Sequence, residues 1–122
     1  MIIAVWNVRG LGSSSKKEMV RSLIRKERVE MIGLVESKHT EITMQDINSC
    51  WGYQDVEWVQ VPAEVGGSGG LILSWLKDSF TLVEVKTMQN WILAVGIMQQ
   101  SNFRCTICTG YEPNDRHERL VV

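Results

Sequence analysis

The sequence lacks the features of a membrane or secreted protein. No apolar run approaches the ~20 residues that span a bilayer. The opening Met1-Ile2-Ile3-Ala4-Val5 also lacks the basic leader and long apolar region of a secretory signal peptide. These absences predict an intracellular protein that has no membrane partner.

Cysteine is scarce, and neither sign of charge is in clear excess. Three cysteines are an odd number, which does not suit a disulfide framework and favours reduced thiols. The formal net charge of -1 means that the field of the whole molecule does not favour polyanions, so any contact with nucleic acid must be local. A length of 122 residues, 44% of them hydrophobic, is typical of one globular domain with a substantial core.

Common metal and nucleotide motifs are also incomplete. Cys105 and Cys108 have the Cys-x-x-Cys spacing, but an odd separation along a strand sends the two thiols to opposite faces. Core or half-buried thiols are therefore favoured over a zinc site. The run Gly66–Gly70 lacks the Gly-Lys-Ser/Thr ending of a phosphate-binding loop, and a flexible hairpin loop is the better prediction. His39 and His117 lack the spacing of zinc hydrolases and are predicted to be lone surface residues.

The first part of the chain has the pattern of a strand, helix, strand unit. Ile2–Val8 is apolar and nearly uncharged, which is typical of a central strand buried on both faces. The segment 15–18 (Ser-Lys-Lys-Glu) fits a capping box that begins a helix near Lys16. Val29–Val35 is predicted to be the second buried strand, and Gly33 within it indicates the close approach of a neighbour.

The helix of this unit has two unlike faces. Apolar residues recur at helical spacing and predict a stripe against the sheet, formed by Met19, Val20, Leu23 and Ile24. Six basic residues against two acidic ones lie on the same helix: Lys16, Lys17, Arg21, Arg25, Lys26 and Arg28. Such a face could contact a phosphate backbone, but the solvated side of an amphipathic helix is the preferred interpretation.

The two strands of the unit end in a carboxamide and a carboxylate. A right-handed crossover makes the strands parallel, so Asn7 and Glu36 are predicted to lie at the same edge of the sheet. Ligands of open α/β sheets bind at that edge. One carboxylate, an amide oxygen and several waters would form a partial magnesium site. On spacing alone, a turn asparagine and a solvated glutamate are the favoured alternative.

The rest of the chain alternates strand-like runs with turns. Thr43–Cys50 is predicted to form a short helix capped by Thr43, and Val56–Val61 a strand. Four later runs are predicted to form an antiparallel meander: Leu71–Leu76, Phe80–Met88, Trp91–Met98 and Phe103–Thr109. A last helix is predicted to run through His117 and Leu120.

Four separate segments together resemble one protein family. Residues 4–11 (Ala-Val-Trp-Asn-Val-Arg-Gly-Leu) resemble the Trp-Asn-x-Arg-Gly opening of endonuclease/exonuclease/phosphatase domains, especially the apurinic-type endonucleases of plant LINE-type non-LTR retrotransposons. Residues 34–38 (Leu-Val-Glu-Ser-Lys) are similar to the strand-end glutamate motif of that family. Residues 69–75 resemble its Gly-Gly-Leu-x-x-x-Trp strand, and residues 111–114 its Tyr-x-Pro-Asn segment. The four motifs occur in the family's order along the whole chain.

The resemblance implies both a fold and an activity. The fold is a four-layer α/β/β/α sandwich of the DNase I type with a mixed sheet, and residues 1–122 would form an incomplete domain without its C-terminal half. The activity is hydrolysis of DNA phosphodiesters with magnesium or manganese. Glu36 corresponds to the metal ligand, Asn7 to a residue that supports the metal and the phosphate, and Tyr111 to a tyrosine that faces the phosphate. DNA is the implied partner of the complete domain, and the nucleus its implied location.

The sequence also departs from the family. It contains neither the Gly-Asp-Phe-Asn segment that orients the nucleophile nor the Ser-Asp-His segment that provides the general base, and Gly110 stands where valine is usual. Loss of a general base alone costs ~10²- to 10⁴-fold in rate. This chain is therefore expected to bind the metal weakly and to be inactive alone.

The absence of the C-terminal half is also expected to affect folding. Inward strand faces without a partner sheet predict marginal folding or self-association through the uncovered sheet. Two other functions stay open: a non-catalytic remnant or interaction module, and a phosphatase of the same superfamily that acts on small phosphates.

Overall fold

The structure is a computed structural model that describes residues 1–64 and 66–111, together with the backbone of residues 118–121. Its elements in chain order are β1 (Ile3–Asn7), α1 (Ser14–Glu27), β2 (Met31–Val35), α2 (Met44–Trp51), β3 (Val56–Val61), β4 (Leu71–Leu76), β5 (Phe80–Met88), β6 (Trp91–Met98), β7 (Phe103–Tyr111) and β8 (Glu118–Val121). None of the helices in these ranges is long and apolar enough to cross a membrane.

The first sheet has four strands in the order β1-β2-β4-β3. β1 and β2 pair in parallel, which confirms the strand, helix, strand unit. The prediction of a central strand for Ile2–Val8 is wrong within the described residues, because β1 lies at the edge of the sheet and is only half-buried. β2 is the strand buried along its whole length, since it has β1 on one side and β4 on the other. An apolar run shows that a strand is covered, but not how many neighbours it has.

The second sheet has four antiparallel strands in the order β5-β6-β7-β8. The meander is confirmed for β5, β6 and β7. For Leu71–Leu76 it is wrong, because β4 pairs with β2 and β3 in the first sheet, where both of its faces are buried. The same pairing confirms Gly66–Gly70 as a hairpin loop, between β3 and β4.

The last described segment is a strand, where the sequence predicts a helix. Residues Glu118–Val121 form β8 and pair antiparallel with β7, so the predicted helix through Leu120 is wrong. Residues 112–117, which include His117, lie outside the described residues. The backbone of this segment pairs with the edge of β7, and this pairing with a distant part of the chain outweighs the local helical pattern.

The two sheets pack face to face around one core. Its buried residues come from both sheets and are Met31, Val35, Val61, Leu71, Leu73, Trp75, Phe80, Ile92, Ala94, Cys105 and Ile107. Trp75 and Phe80 meet edge to face across this core, with ring centroids 5.5 Å apart. The predicted uncovered inner faces are therefore wrong for the part of the chain described, and self-association stays a prediction without that basis.

The helices cover the opposite face of the first sheet. A second core lies there and includes Val20 and Ile24 of α1, Ile47 and Trp51 of α2, and Ile32 of β2. The outward residues of β5 are largely exposed. The described residues therefore form three of the four layers of an α/β/β/α sandwich, as the resemblance implies.

Each helix begins at a capping side chain. The hydroxyl of Ser13 accepts a hydrogen bond from the backbone N–H of Lys16 at 3.1 Å, so α1 begins at Ser14 and the capping box predicted for 15–18 is wrong. Successive serines offer equivalent caps, and the sequence does not choose among them. α2 has a reciprocal capping box between Thr43 and Asp46.

Gly33 leaves room for a side chain of the opposite sheet. A Cβ added there would lie 2.8 Å from the Thr109 hydroxyl oxygen. We expect Gly33→Ala to lower the free energy of unfolding by about 1–3 kcal/mol through overpacking. Urea denaturation of a double-mutant cycle tests the contact, because Thr109→Ala should relieve part of that loss. Strict additivity of the two substitutions would contradict it.

Asp46 connects the two helices through an ion pair with Lys17, with Nζ and Oδ1 2.9 Å apart. Burial by itself would raise the pKa of Asp46, but hydrogen bonds from Thr43 and Lys17 outweigh it and the pKa is lowered. A carboxyl whose pKa is lower in the folded state stabilises above its unfolded pKa, and this stabilisation is lost as the pH falls through the folded value.

Asp46→Asn should therefore lower the free energy of unfolding by about 1 kcal/mol near neutral pH. The difference from the unmodified chain should shrink below about pH 4. Urea denaturation at several pH values measures it. Asp55→Asn is the control, since Asp55 and Lys77 form an exposed pair at 3.9 Å. Such a pair contributes little to stability. An Asp46→Asn effect independent of pH would contradict the ionic contribution.

Candidate functional site

Parallel pairing brings the ends of β1 and β2 to one edge of the first sheet. Asn7 is opposite Val35 in the register. Beyond the strands the chains stay joined, because the N–H of Val8 donates to the carbonyl of Val35 at 3.0 Å and the N–H of Gly10 donates to that of Glu36 at 2.7 Å. Asn7 and Glu36 therefore occupy neighbouring strand ends, as the crossover predicts.

Glu36 has an unusual backbone conformation. Its φ is +57° and that of Lys38 is +58°, in the left-handed region that non-glycine residues seldom adopt. Two hydrogen bonds hold this turn on its other side: the N–H of Ser37 donates to the carbonyl of Gly70 at 3.2 Å, and the N–H of Lys38 donates to that of Gly69 at 2.9 Å. Strained residues held by their surroundings cluster at functional sites. The turn fixes the direction of the Glu36 side chain.

The glycine loop packs between this turn and Tyr111. A Cβ added to Gly69 would lie 2.6 Å from the Tyr111 hydroxyl oxygen, and one added to Gly70 would collide with the Ser37 hydroxyl. Both glycines also have positive φ. The loop reaches this place because β4 is antiparallel to β2, so that the start of β4 lies beside the end of β2.

The turn at Glu36, the glycine loop and Tyr111 line an open, polar cleft of about 400 Å³. Its lining residues are Glu36, Lys38, Gly66, Gly67, Ser68, Gly69 and Tyr111. The structure thus brings Glu36 and Tyr111 together. Asn7 is not among the lining residues, and its Oδ1 accepts a hydrogen bond from the N–H of Arg9 at 3.1 Å.

Tyr111 is held at the end of β7 by the turn between β5 and β6. Its N–H donates to the Asn90 carbonyl at 3.0 Å, and Nδ2 of Asn90 donates to the Tyr111 carbonyl at 3.1 Å. Burial raises the pKa of Tyr111, and the negative charges of Glu64 and Glu36 raise it further. The phenol is therefore protonated at neutral pH and can donate a hydrogen bond into the cleft.

Sequence reasoning missed part of this cleft. Lys38 lies within the glutamate motif but carries no predicted role there, and the glycine loop is predicted only as a connection. The loop is missed because β4 is assigned to the wrong sheet. Pairing β4 with β2 would have placed Gly66–Gly70 beside Glu36 from the sequence alone.

The donor set of the cleft fits a cation only in part. Over residues 1–64 and 66–111, no group of three or more histidine, cysteine, aspartate or glutamate side chains is placed to hold one metal ion. Glu36 supplies a carboxylate, the kind of ligand that magnesium prefers, and magnesium keeps several of its waters. The described lining residues therefore offer one carboxylate to a cation, beside the ammonium group of Lys38, and not a complete metal site.

Comparison with known proteins shows the fold. No family model matches this sequence, and no curated protein matches it. The structure is similar to the AP endonuclease LMAP from Leishmania major, with a TM-score of 0.60 over 88% of this chain at 16% identity. It is also similar to the APE2 catalytic domain of Xenopus laevis, with a TM-score of 0.59 over 95% of this chain at 13% identity. The chain shares the fold of part of an AP endonuclease.

The shared part is less than half of either structure. It covers 38% of the Leishmania AP endonuclease and 48% of the Xenopus APE2 catalytic domain. The α/β fold with a mixed sheet is therefore confirmed, as a portion of the AP endonuclease fold.

The effect of the Glu64 and Glu36 carboxylates on the pKa of Tyr111 can be measured by titration. In a Tyr53→Phe background, which leaves Tyr111 as the one tyrosine, Glu64→Gln should lower the pKa of the phenol towards its usual value of about 10. Glu36→Gln should lower it less, and Glu41→Gln serves as the control. The absorbance of tyrosinate in the near ultraviolet measures the pKa. A pKa that is unchanged by Glu64→Gln would contradict the described surroundings.

Proposed function

We propose that this chain is part of a magnesium-dependent DNA endonuclease of the LINE retrotransposon type and that it is inactive alone. The observation that carries the proposal is the cleft, where Glu36 and Tyr111 meet at the carboxyl end of a parallel strand pair. The fold is similar to that of AP endonucleases. The motifs around Asn7, Glu36, Gly69 and Tyr111 support the retrotransposon branch.

Three residues of the cleft have a chemical role in this proposal. The Glu36 carboxylate would hold the magnesium ion, which supplies Lewis-acid chemistry at a phosphodiester when bound. The Tyr111 phenol would donate a hydrogen bond to a phosphate oxygen, and Lys38 would add a positive charge beside it. Asn7 lies on the neighbouring strand end, outside the lining residues, and would offer its amide hydrogens to the phosphate, since its Oδ1 accepts from the N–H of Arg9.

The proposal also explains the expected inactivity. Phosphodiester hydrolysis needs an activated water as well as stabilisation of charge on the phosphate. The described residues of the cleft provide one carboxylate, a phenol and an ammonium group, and no histidine lines it. A general base would have to come from further parts of an endonuclease fold, together with the rest of the DNA-binding surface.

Metal binding is the direct test of Glu36. Manganese(II) is the probe, because its paramagnetism broadens the NMR signals of residues near the bound ion. We expect weak binding that Glu36→Ala reduces at least ~10-fold, which corresponds to about 1.4 kcal/mol. Glu41→Ala is the control, since Glu41 is an exposed glutamate outside the cleft. Equal broadening in the chain and in Glu36→Ala would contradict the metal role.

Activity is tested separately by nicking of supercoiled plasmid DNA in magnesium buffer. We expect no nicking above that of Glu36→Ala, because the general base is missing from the sequence. Robust nicking that Glu36→Ala abolishes would contradict the proposed inactivity while supporting the site. Manganese binding without nicking is the outcome that the proposal as a whole predicts.

A further inference from the structure

Ser37 is a buried polar residue in the turn that carries Glu36. Its side chain is fully buried, whereas Glu36 before it is half-buried and Lys38 after it is exposed. Both of these neighbours have the left-handed backbone conformation. Such conformations persist only where the surrounding structure holds them. The contacts of Ser37 therefore decide how Glu36 is presented to the cleft.

The backbone of Ser37 joins the turn to two other segments. Its N–H donates to the carbonyl of Gly70 at 3.2 Å, and its carbonyl accepts from the N–H of Leu11 at 2.9 Å. The first hydrogen bond leads to the glycine loop, and the second leads to the segment that follows β1. These two bonds fix the position of Ser37, but they do not depend on its side chain.

The side chain of Ser37 adds contacts that need a small residue with a hydroxyl group. Its Oγ accepts a hydrogen bond from the N–H of His39 at 3.4 Å, which is the pattern of a serine turn that spans Lys38. The same oxygen occupies the space that Gly70 leaves without a side chain, because a Cβ on Gly70 would collide with it. Loss of the hydroxyl would remove the acceptor of His39 and open a gap beside Gly70.

We infer that the Ser37 hydroxyl is a positioning group that holds the Glu36 carboxylate in the cleft beside Tyr111. It closes the turn over Lys38 and packs against the glycine loop, so that the left-handed conformations on both sides of it persist. Without the hydroxyl, we expect the turn to relax and the carboxylate to adopt other directions. The orientation of Glu36 is independent of the proposed function, and only its consequence for a metal ion rests on that proposal.

Tyr111 reports where the Glu36 carboxylate lies, because the negative charge of Glu36 raises the pKa of the phenol. The titration again uses the Tyr53→Phe background and the absorbance of tyrosinate. We expect Ser37→Ala to lower the pKa of Tyr111, in the same direction as Glu36→Gln does. In a chain that already carries Glu36→Gln, Ser37→Ala should have no further effect, because the charge that it displaces is gone.

Ser74→Ala is the matched control. Ser74 is 1% exposed, and its Oγ accepts a hydrogen bond from Nε1 of Trp51 in α2 at 3.0 Å. The control thus removes a similarly buried hydroxyl and one hydrogen bond at a place away from the cleft. A general loss of stability would affect both serine variants, whereas the pKa of Tyr111 should change only in Ser37→Ala.

Manganese(II) binding measures the consequence for a cation. Ser37→Ala should weaken it ~10-fold, which is typical when a group that orients a metal ligand is removed, and Ser74→Ala should leave it unchanged. Manganese binding that does not depend on Glu36 would contradict the proposed function alone, and the Tyr111 titration would then decide the inference by itself.

Four results would overturn the inference. The first is a pKa of Tyr111 that Ser37→Ala leaves unchanged, and the second is a pKa that Ser74→Ala lowers equally. The third is an effect of Ser37→Ala that persists undiminished with Glu36→Gln, since the hydroxyl would then act on Tyr111 through the glycine loop and not through Glu36. The fourth is manganese binding that depends on Glu36 but not on Ser37.

Discussion

The parallel pairing of β1 with β2 is the constraint on which the rest of the structure depends. It forces the connection through α1 and brings both strand ends to the same edge of the sheet. The backbone hydrogen bonds past the strands, from Val8 to Val35 and from Gly10 to Glu36, extend this pairing into the turn where Glu36 lies. Without it, the left-handed conformation of Glu36 would have no support on the β1 side.

The chemistry of the cleft depends on how the fold brings residues of both sheets together. Glu36 comes from the first sheet and Tyr111 from the second, and the packing of the two sheets places them around the same glycine loop. A side chain at Gly69 would displace the Tyr111 hydroxyl, so the loop must be free of side chains there. Burial and two nearby carboxylates keep the phenol protonated, which suits donation to an anionic ligand and would oppose its use as a base.

The first sheet lies between two cores of the described residues. Both faces of the first sheet are covered, by the helices on one side and by the second sheet on the other.

Local patterns predicted the local structure well. Strand segments, both helices and the hairpin loop follow from apolar periodicity, capping residues and glycine, because each of these acts over a few neighbouring residues. The predictions were wrong where the local sequence allows two similar structures. Ser13, Ser14 and Ser15 could each cap α1, and the structure uses Ser13. Residues Glu118–Val121 could form a helix or a strand, and pairing with the edge of β7 selects the strand.

The sequence by itself determined the parallel unit that carries Asn7 and Glu36, since a crossover of one helix leaves no other common arrangement. Only the tertiary structure decided that β4 inserts beside β2, that the glycine loop and Lys38 line the cleft, and that β1 lies at an edge. The physical reason is that sheet order depends on pairings between distant segments. Apolar runs such as β1, β2 and β4 are compatible with several of these pairings, and their mutual packing selects one.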